Sequence, residues 1–202
     1  PYGLETASTE LSTTQACAHP DLKLDFKLTN NEATGKPEFS TKTVVTDLPA
    51  GLVGNVSNFT TCNIADVIRT TNTASPENYK ACPRTSNVGY MDVTVRYGYT
   101  ALGFTLRQRI YRLPSDPGEP AAFGTSVLSQ VVRLTVGVRS DGDYGIQVTG
   151  EQLPEPVYTE AVSTVFWGVP ADHQGRGETA PMWDGNPILT TKPGNVEQYF
   201  GS

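Results

Sequence analysis

The sequence predicts an all-β domain, an antiparallel two-sheet β-sandwich with long irregular connections and one short helix. Three observations predict it. Apolar and polar residues alternate at period two in several separate runs, Gly and Pro (19 and 15 of 202 residues) punctuate the gaps between them, and only one short stretch has helical spacing. Strands that follow one another without intervening helices pair antiparallel. About eight strands over this length most naturally stack as two sheets, with a barrel as the alternative.

The elements follow in order. In residues 21–29, Leu22, Leu24, Phe26 and Leu28 fall on one face and mostly charged groups on the other, the pattern of a half-buried strand. Residues 30–37 carry the Asn, Gly and Pro of a turn, and the β-branched run 39–46 reads as the neighbouring antiparallel strand. Residues 63–69 have helical spacing, with Ile64, Val67 and Ile68 on one side and Asn63 placed to cap. Met91, Val93, Val95 and Tyr97 alternate with Asp92, Thr94, Arg96 and Gly98. In residues 105–112, Leu106, Gln108 and Ile110 alternate with Thr and Arg, more polar than a core strand would be. Arg107 and Arg109 there share a face, as on a solvated edge that discourages strand pairing. Val132, Leu134, Val136 and Val138 form a further run, and Asp141-Gly142 closes a hairpin onto residues 144–149. Residues 157–169 supply the last long strand. The segments 62–82 and 113–124 are long connections for such a fold, where binding surfaces tend to sit.

Length and charge narrow the function. A chain of 202 residues and 21.8 kDa fits a single domain spanning 1–202, and its start on Pro1 without Met is expected of a segment of a longer chain. A net charge of -6 argues against nucleic acid and anionic membrane surfaces as partners. No apolar run approaches the roughly 18 residues of a membrane span. Two histidines, His19 and His173, stand without a Gly-x-Ser-x-Gly elbow, so no catalytic residues are assigned. Asp141 and Asp143 read as hairpin-turn residues and not as a calcium loop, and no metal or organic cofactor is expected. Tyr97 and Tyr99 flank Gly98, while Trp167 and Trp183 lie in or after the last strand; exposed, the two tryptophans could stack on sugar rings, and the plainer account has Trp167 filling the core.

The three cysteines are Cys17, Cys62 and Cys82. A Cys62–Cys82 bridge would close a loop of about 20 residues and stabilise by about 3 kcal/mol, with three reduced thiols as the alternative. Without a CxxC or a histidine cluster, zinc is poorly supported. Two sequons, at Asn55 and Asn58, mark possible glycosylation and agree with an extracellular setting.

Several stretches occur in an order that resembles a known family. They are Thr14-Gln15-Ala16-Cys17-Ala18-His19-Pro20-Asp21, then Asp47-Leu48-Pro49-Ala50-Gly51-Leu52-Val53-Gly54-Asn55, then Cys82-Pro83 with Ser86, Val88 and Gly89. Tyr111 and Leu113 follow with Pro117-Gly118-Glu119-Pro120-Ala121 and Phe123-Gly124, then Asp143-Tyr144-Gly145 and Phe166-Trp167-Gly168-Val169-Pro170-Ala171-Asp172. Together they resemble the repeated β-rich domains of large secreted or cell-surface proteins of high-GC Gram-positive bacteria, a family of unassigned activity. The resemblance implies that Cys62 and Cys82 are paired, and that the sequons stay bare in a bacterial chain. The family usually has Gly where this chain has Cys17. It also implies an envelope or extracellular module, architectural or adhesive, with no catalytic residues to transfer. The expected function is a non-catalytic extracellular or cell-surface structural or interaction module, a subunit of a surface layer or filament; contact with neighbouring protein domains or copies of itself is expected from the start on Pro1, the end on Gly201-Ser202, the odd Cys17 and the weakly patterned segments 1–14 and 187–200. A carbohydrate-binding, adhesive domain on cell-wall or other polysaccharide is the alternative, and a secreted hydrolase comes third.

Overall fold

The computed structural model describes residues 3–31, 33–35, 37, 39–56, 59–71, 82–97, 103–128, 130–140, 142–153, 157–173 and 189–190. The elements in chain order are β1 (Leu4–Leu11), β2 (Leu22–Leu28), β3 (Val44–Asp47), α1 (Ile64–Thr71), β4 (Asn87–Tyr97), β5 (Gly103–Leu113), β6 (Ala121–Val127), β7 (Gln130–Val138), β8 (Ile146–Glu151), β9 (Val157–Phe166), α2 (Pro170–His173) and β10 (Leu189–Thr190). All pairings are antiparallel, and nine strands follow one hydrogen-bonded path, β1-β2-β9-β4-β5-β6-β7-β8-β3, with β10 added on β5. No helix among the described residues is long and apolar enough to cross a membrane.

The all-β antiparallel expectation holds, but in place of two sheets there is one curled sheet. β5 is the reason. It pairs with β4 from Arg96↔Gly103 to Asn87↔Tyr111, yet with β6 only at Tyr111↔Gly124, Arg112↔Phe123 and Leu113↔Ala122. Beyond that fork the two halves of the sheet diverge and fold toward each other without breaking the path. Phe123 on β6 and Phe166 on β9, three steps apart along the path, meet with ring centroids 5.3 Å apart. The enclosed core draws on Val93 and Val95 of β4, Leu106 and Ile110 of β5, Val127 of β6, Val132 and Leu134 of β7, and Val162 of β9.

Two further expectations are corrected. The run 39–46 is not the neighbour of the first alternating strand: only Val44–Asp47 is a strand, and it pairs with β8 at the far end of the sheet, while β2 lies between β1 and β9. Nor is β5 a solvated edge. Leu106, Gln108 and Ile110 point inward and are almost wholly buried, and Tyr111 and Leu113 are buried on the opposite face. Arg107 is tolerated because Asp92, its cross-strand partner on β4, takes it in a two-point ion pair. Charge-assisted hydrogen bonds of this geometry satisfy a half-buried guanidinium that would otherwise cost several kcal/mol, about the scale set for an unpaired buried charge. The Asp92 hydrogen bond holds the Arg107 pKa up against the desolvation that opposes it.

A second, smaller core lies on the outer face of β5 to β7. Helix α1 brings Val67 there, fully buried, beside Cys62, Cys82, Tyr111, Leu113 and Ala122. The helical stripe expected from the sequence is only one residue deep, since Ile64 and Ile68 stay partly exposed, at 49% and 36%. Cys62 and Cys82 form a disulfide with a Cα separation of 5.2 Å. The Cys62 N–H donates to the Arg112 carbonyl at 2.8 Å, so the bridge pins α1 to the end of β5.

Candidate functional site

The sequence-predicted residues scatter over the molecule. Asn55 is exposed; Asn58, Trp183, Tyr99 and Asp141 lie outside the described residues. Asp143 accepts the Gly145 N–H at 2.8 Å and pairs with Arg139, which places it in the hairpin turn. Cys17 is exposed and unpaired, far from the disulfide in sequence, and its backbone has φ 63°. That left-handed conformation is one that Gly adopts without strain and most side chains do not.

His173 and Trp167 do come together. Their rings stack with centroids 4.9 Å apart and planes 4° from parallel, and Tyr90 packs at 6.4 Å from Trp167. Trp167 is therefore buried, so its ring is not presented to a sugar. Asp21 completes this corner. One of its oxygens accepts the Gly168 N–H at 2.8 Å and the other lies 3.6 Å from His173 Nε2. Gly168 is required because a Cβ there would collide with the His19 and Pro20 backbone. Arg107, whose carbon lies 4.4 Å from the Tyr90 ring centre, continues the stack onto β5. A His–Asp contact is present, and Asp21 ties the start of β2 to the Gly168 turn between β9 and α2. The corner is a clasp in chemical terms, with the imidazole facing an indole.

The unused chemistry of the molecule is main-chain and apolar, at β1. On the core-facing side of the sheet, Cα partners line up as Ala7–Phe26–Val162–Val93–Leu106 and Thr9–Leu24–Thr164–Met91–Gln108. Partners directly opposite share a face, so each row should be buried or exposed together if the layer were covered evenly. It is not. Val93 and Leu106 are 1% exposed and Val162 5%, Phe26 and Leu24 are half-buried, and Ala7 and Thr9 are exposed. Seven of the eight β1 residues are exposed and none is buried; Leu4 is 62% exposed.

The outer side of the same rows is a polar ladder, Ser8–Asp25–Ser163–Asp92–Arg107. Lys23 bonds Asp25 at 2.8 Å, and Lys27 reaches across to Glu5 on β1 at 2.8 Å. β1 is thus tied to β2 by main-chain bonds and an exposed ion pair, while its far edge pairs with no other strand among the described residues. Sequence reasoning missed this strand because residues 4–11, Leu-Glu-Thr-Ala-Ser-Thr-Glu-Leu, lack an apolar alternation; the signal available was their Thr content and freedom from Gly and Pro. The chain matches no family model, no curated protein and no solved structure.

Proposed function

We propose that this chain is a non-catalytic extracellular or cell-surface structural module that works by contact with other protein domains, either neighbours in its own chain or copies of itself in a layer or filament. The observation that carries the reading is β1. Ordering a strand costs about 1–2 kcal/mol per residue in backbone entropy. A hydrogen bond returns a net of about 0.5–1.5 kcal/mol, and burial of apolar side chains normally supplies the rest. No β1 residue is fully buried, and only Leu11 is even half-buried. A protein partner laid over Leu4, Ala7, Thr9 and Leu11, or added along the far edge, supplies that missing burial, and a free strand edge is a ready template for such addition. The resemblance to repeated surface domains, the disulfide and the sequon at Asn55 agree with an extracellular setting.

Sedimentation of the whole chain over a rising concentration series, with hydrogen exchange read at the β1 amides, tests this. Association above the 21.8 kDa monomer, with the β1 amides gaining protection as it proceeds, is expected. A specific contact should bury more than about 1,000 Å² in total. A monomer at every concentration, with β1 exchanging freely throughout, would overturn the reading.

A further inference from the structure

The turn from β7 to β8 sets an aromatic ring out in solvent on a strained backbone. Tyr144 has φ 52° and is 73% exposed. That region is open to Gly and tolerated by Asn and Asp, while a bulky residue in it is an outlier of the kind that gathers at functional sites. Small turn residues would close the hairpin without strain, so the fold alone gives no reason for Tyr. The turn is also braced. Asp143 accepts the Gly145 N–H at 2.8 Å and the Arg139 Nε–H at 3.1 Å, and its second oxygen takes another Arg139 nitrogen. Arg139, its side chain 11% exposed, donates to the Leu48 carbonyl at 3.2 Å and lies 3.5 Å from Asp47. It runs so close to Gly145 that a Cβ there would collide with it. The Leu48 N–H bonds the Ile146 carbonyl at 2.8 Å, which ties the end of β3 to the same base.

We propose that this turn binds a neutral sugar ring of a polysaccharide, with Tyr144 as the stacking platform and Asp47 and Asp143 as acceptors for its hydroxyls. The flat phenol face meets the C–H face of a pyranose, and its hydroxyl keeps water or a sugar oxygen as partner. Asp47 stands opposite Gln147 in the β3–β8 register and accepts its side-chain N–H at 2.8 Å. The Asp47 and Asp143 side chains remain 56% and 45% exposed, and a carboxylate accepts up to about four hydrogen bonds, so these contacts do not exhaust them. Hydrogen bonds from sugar hydroxyls to such carboxylates are charge-assisted, and their orientation is already fixed by Arg139 and Gln147, which lowers the cost of binding. The same two carboxylates repel an anionic chain. A protein partner fits less well. The apolar surface at the turn is one ring and Val138, 56% exposed opposite Ile146, which is the scale of a sugar unit and far below the roughly 1,000 Å² of a specific protein contact. This site goes beyond the assembly reading and uses other strands than β1, so either can fail alone.

Native affinity electrophoresis of the whole chain tests it, in gels carrying mannan, dextran or glycogen, with polygalacturonate as the anionic control. At least one neutral polymer should retard the chain and polygalacturonate should not. Tyr144→Phe, which keeps the ring, should bind nearly as well, whereas Tyr144→Asn should weaken binding at least about tenfold and Asp47→Ala several-fold. Because Asn enters the left-handed region more easily, Tyr144→Asn should unfold at an equal or higher denaturant midpoint. Four results overturn the proposal: no retardation by any neutral polymer, equal retardation by polygalacturonate, undiminished binding by Tyr144→Asn, or a lowered midpoint for that variant, which would assign the ring to the fold. Weakened self-association of Tyr144→Asn without polysaccharide binding by the natural chain would make the turn a protein contact, and overturns it as well.

Discussion

β1 and β5 belong to the same sheet and have contradicted their compositions in opposite directions. β5, Gly-Phe-Thr-Leu-Arg-Gln-Arg-Ile-Tyr-Arg-Leu, holds three arginines and a glutamine and is among the most buried strands of the molecule. β1, Leu-Glu-Thr-Ala-Ser-Thr-Glu-Leu, is uncharged over its middle four residues and is exposed nearly throughout. What separates them is position in the path. β5 has β4 on one edge and β6 and β10 on the other, a core on one face and the disulfide helix over part of its second face. Two of its arginines are answered, Arg107 by Asp92 and Arg109 by the Tyr111 hydroxyl at 3.5 Å. Among the described residues β1 pairs with one strand only, and seven of its eight residues are exposed. Burial is a property of the neighbours, and composition only limits what can be buried without a partner.

The comparison can be broken in four ways. The largest effect is expected from Ile110→Ala, which empties a fully buried site between the two halves of the sheet; it should lower unfolding free energy by about 4 kcal/mol in denaturant titrations, and a loss below about 1 kcal/mol would mean that the curl does not pack as described. Next is the double change Cys62→Ser with Cys82→Ser. Opening a loop with sequence separation 20 should cost about 3 kcal/mol, and hydrogen exchange should rise first around α1 and the end of β5 and not at β1.

A smaller, pH-dependent effect is expected at Glu119, in the connection from β5 to β6. The Asp116 N–H donates to its carboxylate at 3.0 Å and Arg133 of β7 at 2.6 Å, and these bonds hold its pKa below the usual carboxylate range. A folded-state pKa below the unfolded value gives stability that is complete above about pH 4.3 and is lost as pH falls through the lowered folded value. Glu119→Gln should therefore be destabilised by less than about 1 kcal/mol at pH 7, with the difference from the natural chain shrinking below about pH 4 in denaturant titrations. A difference independent of pH would assign the effect to packing. The smallest is Leu4→Ala. With 62% of Leu4 exposed, the monomer should change by no more than about 0.5 kcal/mol, while association of the chain should weaken. A large loss in the monomer would show that β1 is buried in its own chain after all, and would narrow the contrast with β5.

Much of the candidate site was legible in residues, but not as a site. The His173 and Trp167 pair, Asp21 and the Gly168 turn are each visible in the sequence, yet 152 positions separate Asp21 from His173, and the stack depends on β9 lying beside β2. The fork at β5 left no trace in the chain's pattern, because where β6 departs is settled by the curl and not by any residue between 103 and 113.

The sequence by itself determined the antiparallel all-β class, the alternation that sorts Val93, Val95, Leu106 and Ile110 onto one face, the Asp143 turn and the position of the short helix. These are local consequences of period two, turn chemistry and capping, and need no knowledge of what lies opposite. Only the tertiary structure decided that the strands make one curled sheet, that β2 and β3 stand far apart, and that the arginine-rich strand is central while β1 is the bare edge. The physical reason is that alternation fixes the parity of a strand's faces but is silent on its partners, and both pairing and coverage depend on residues distant in sequence.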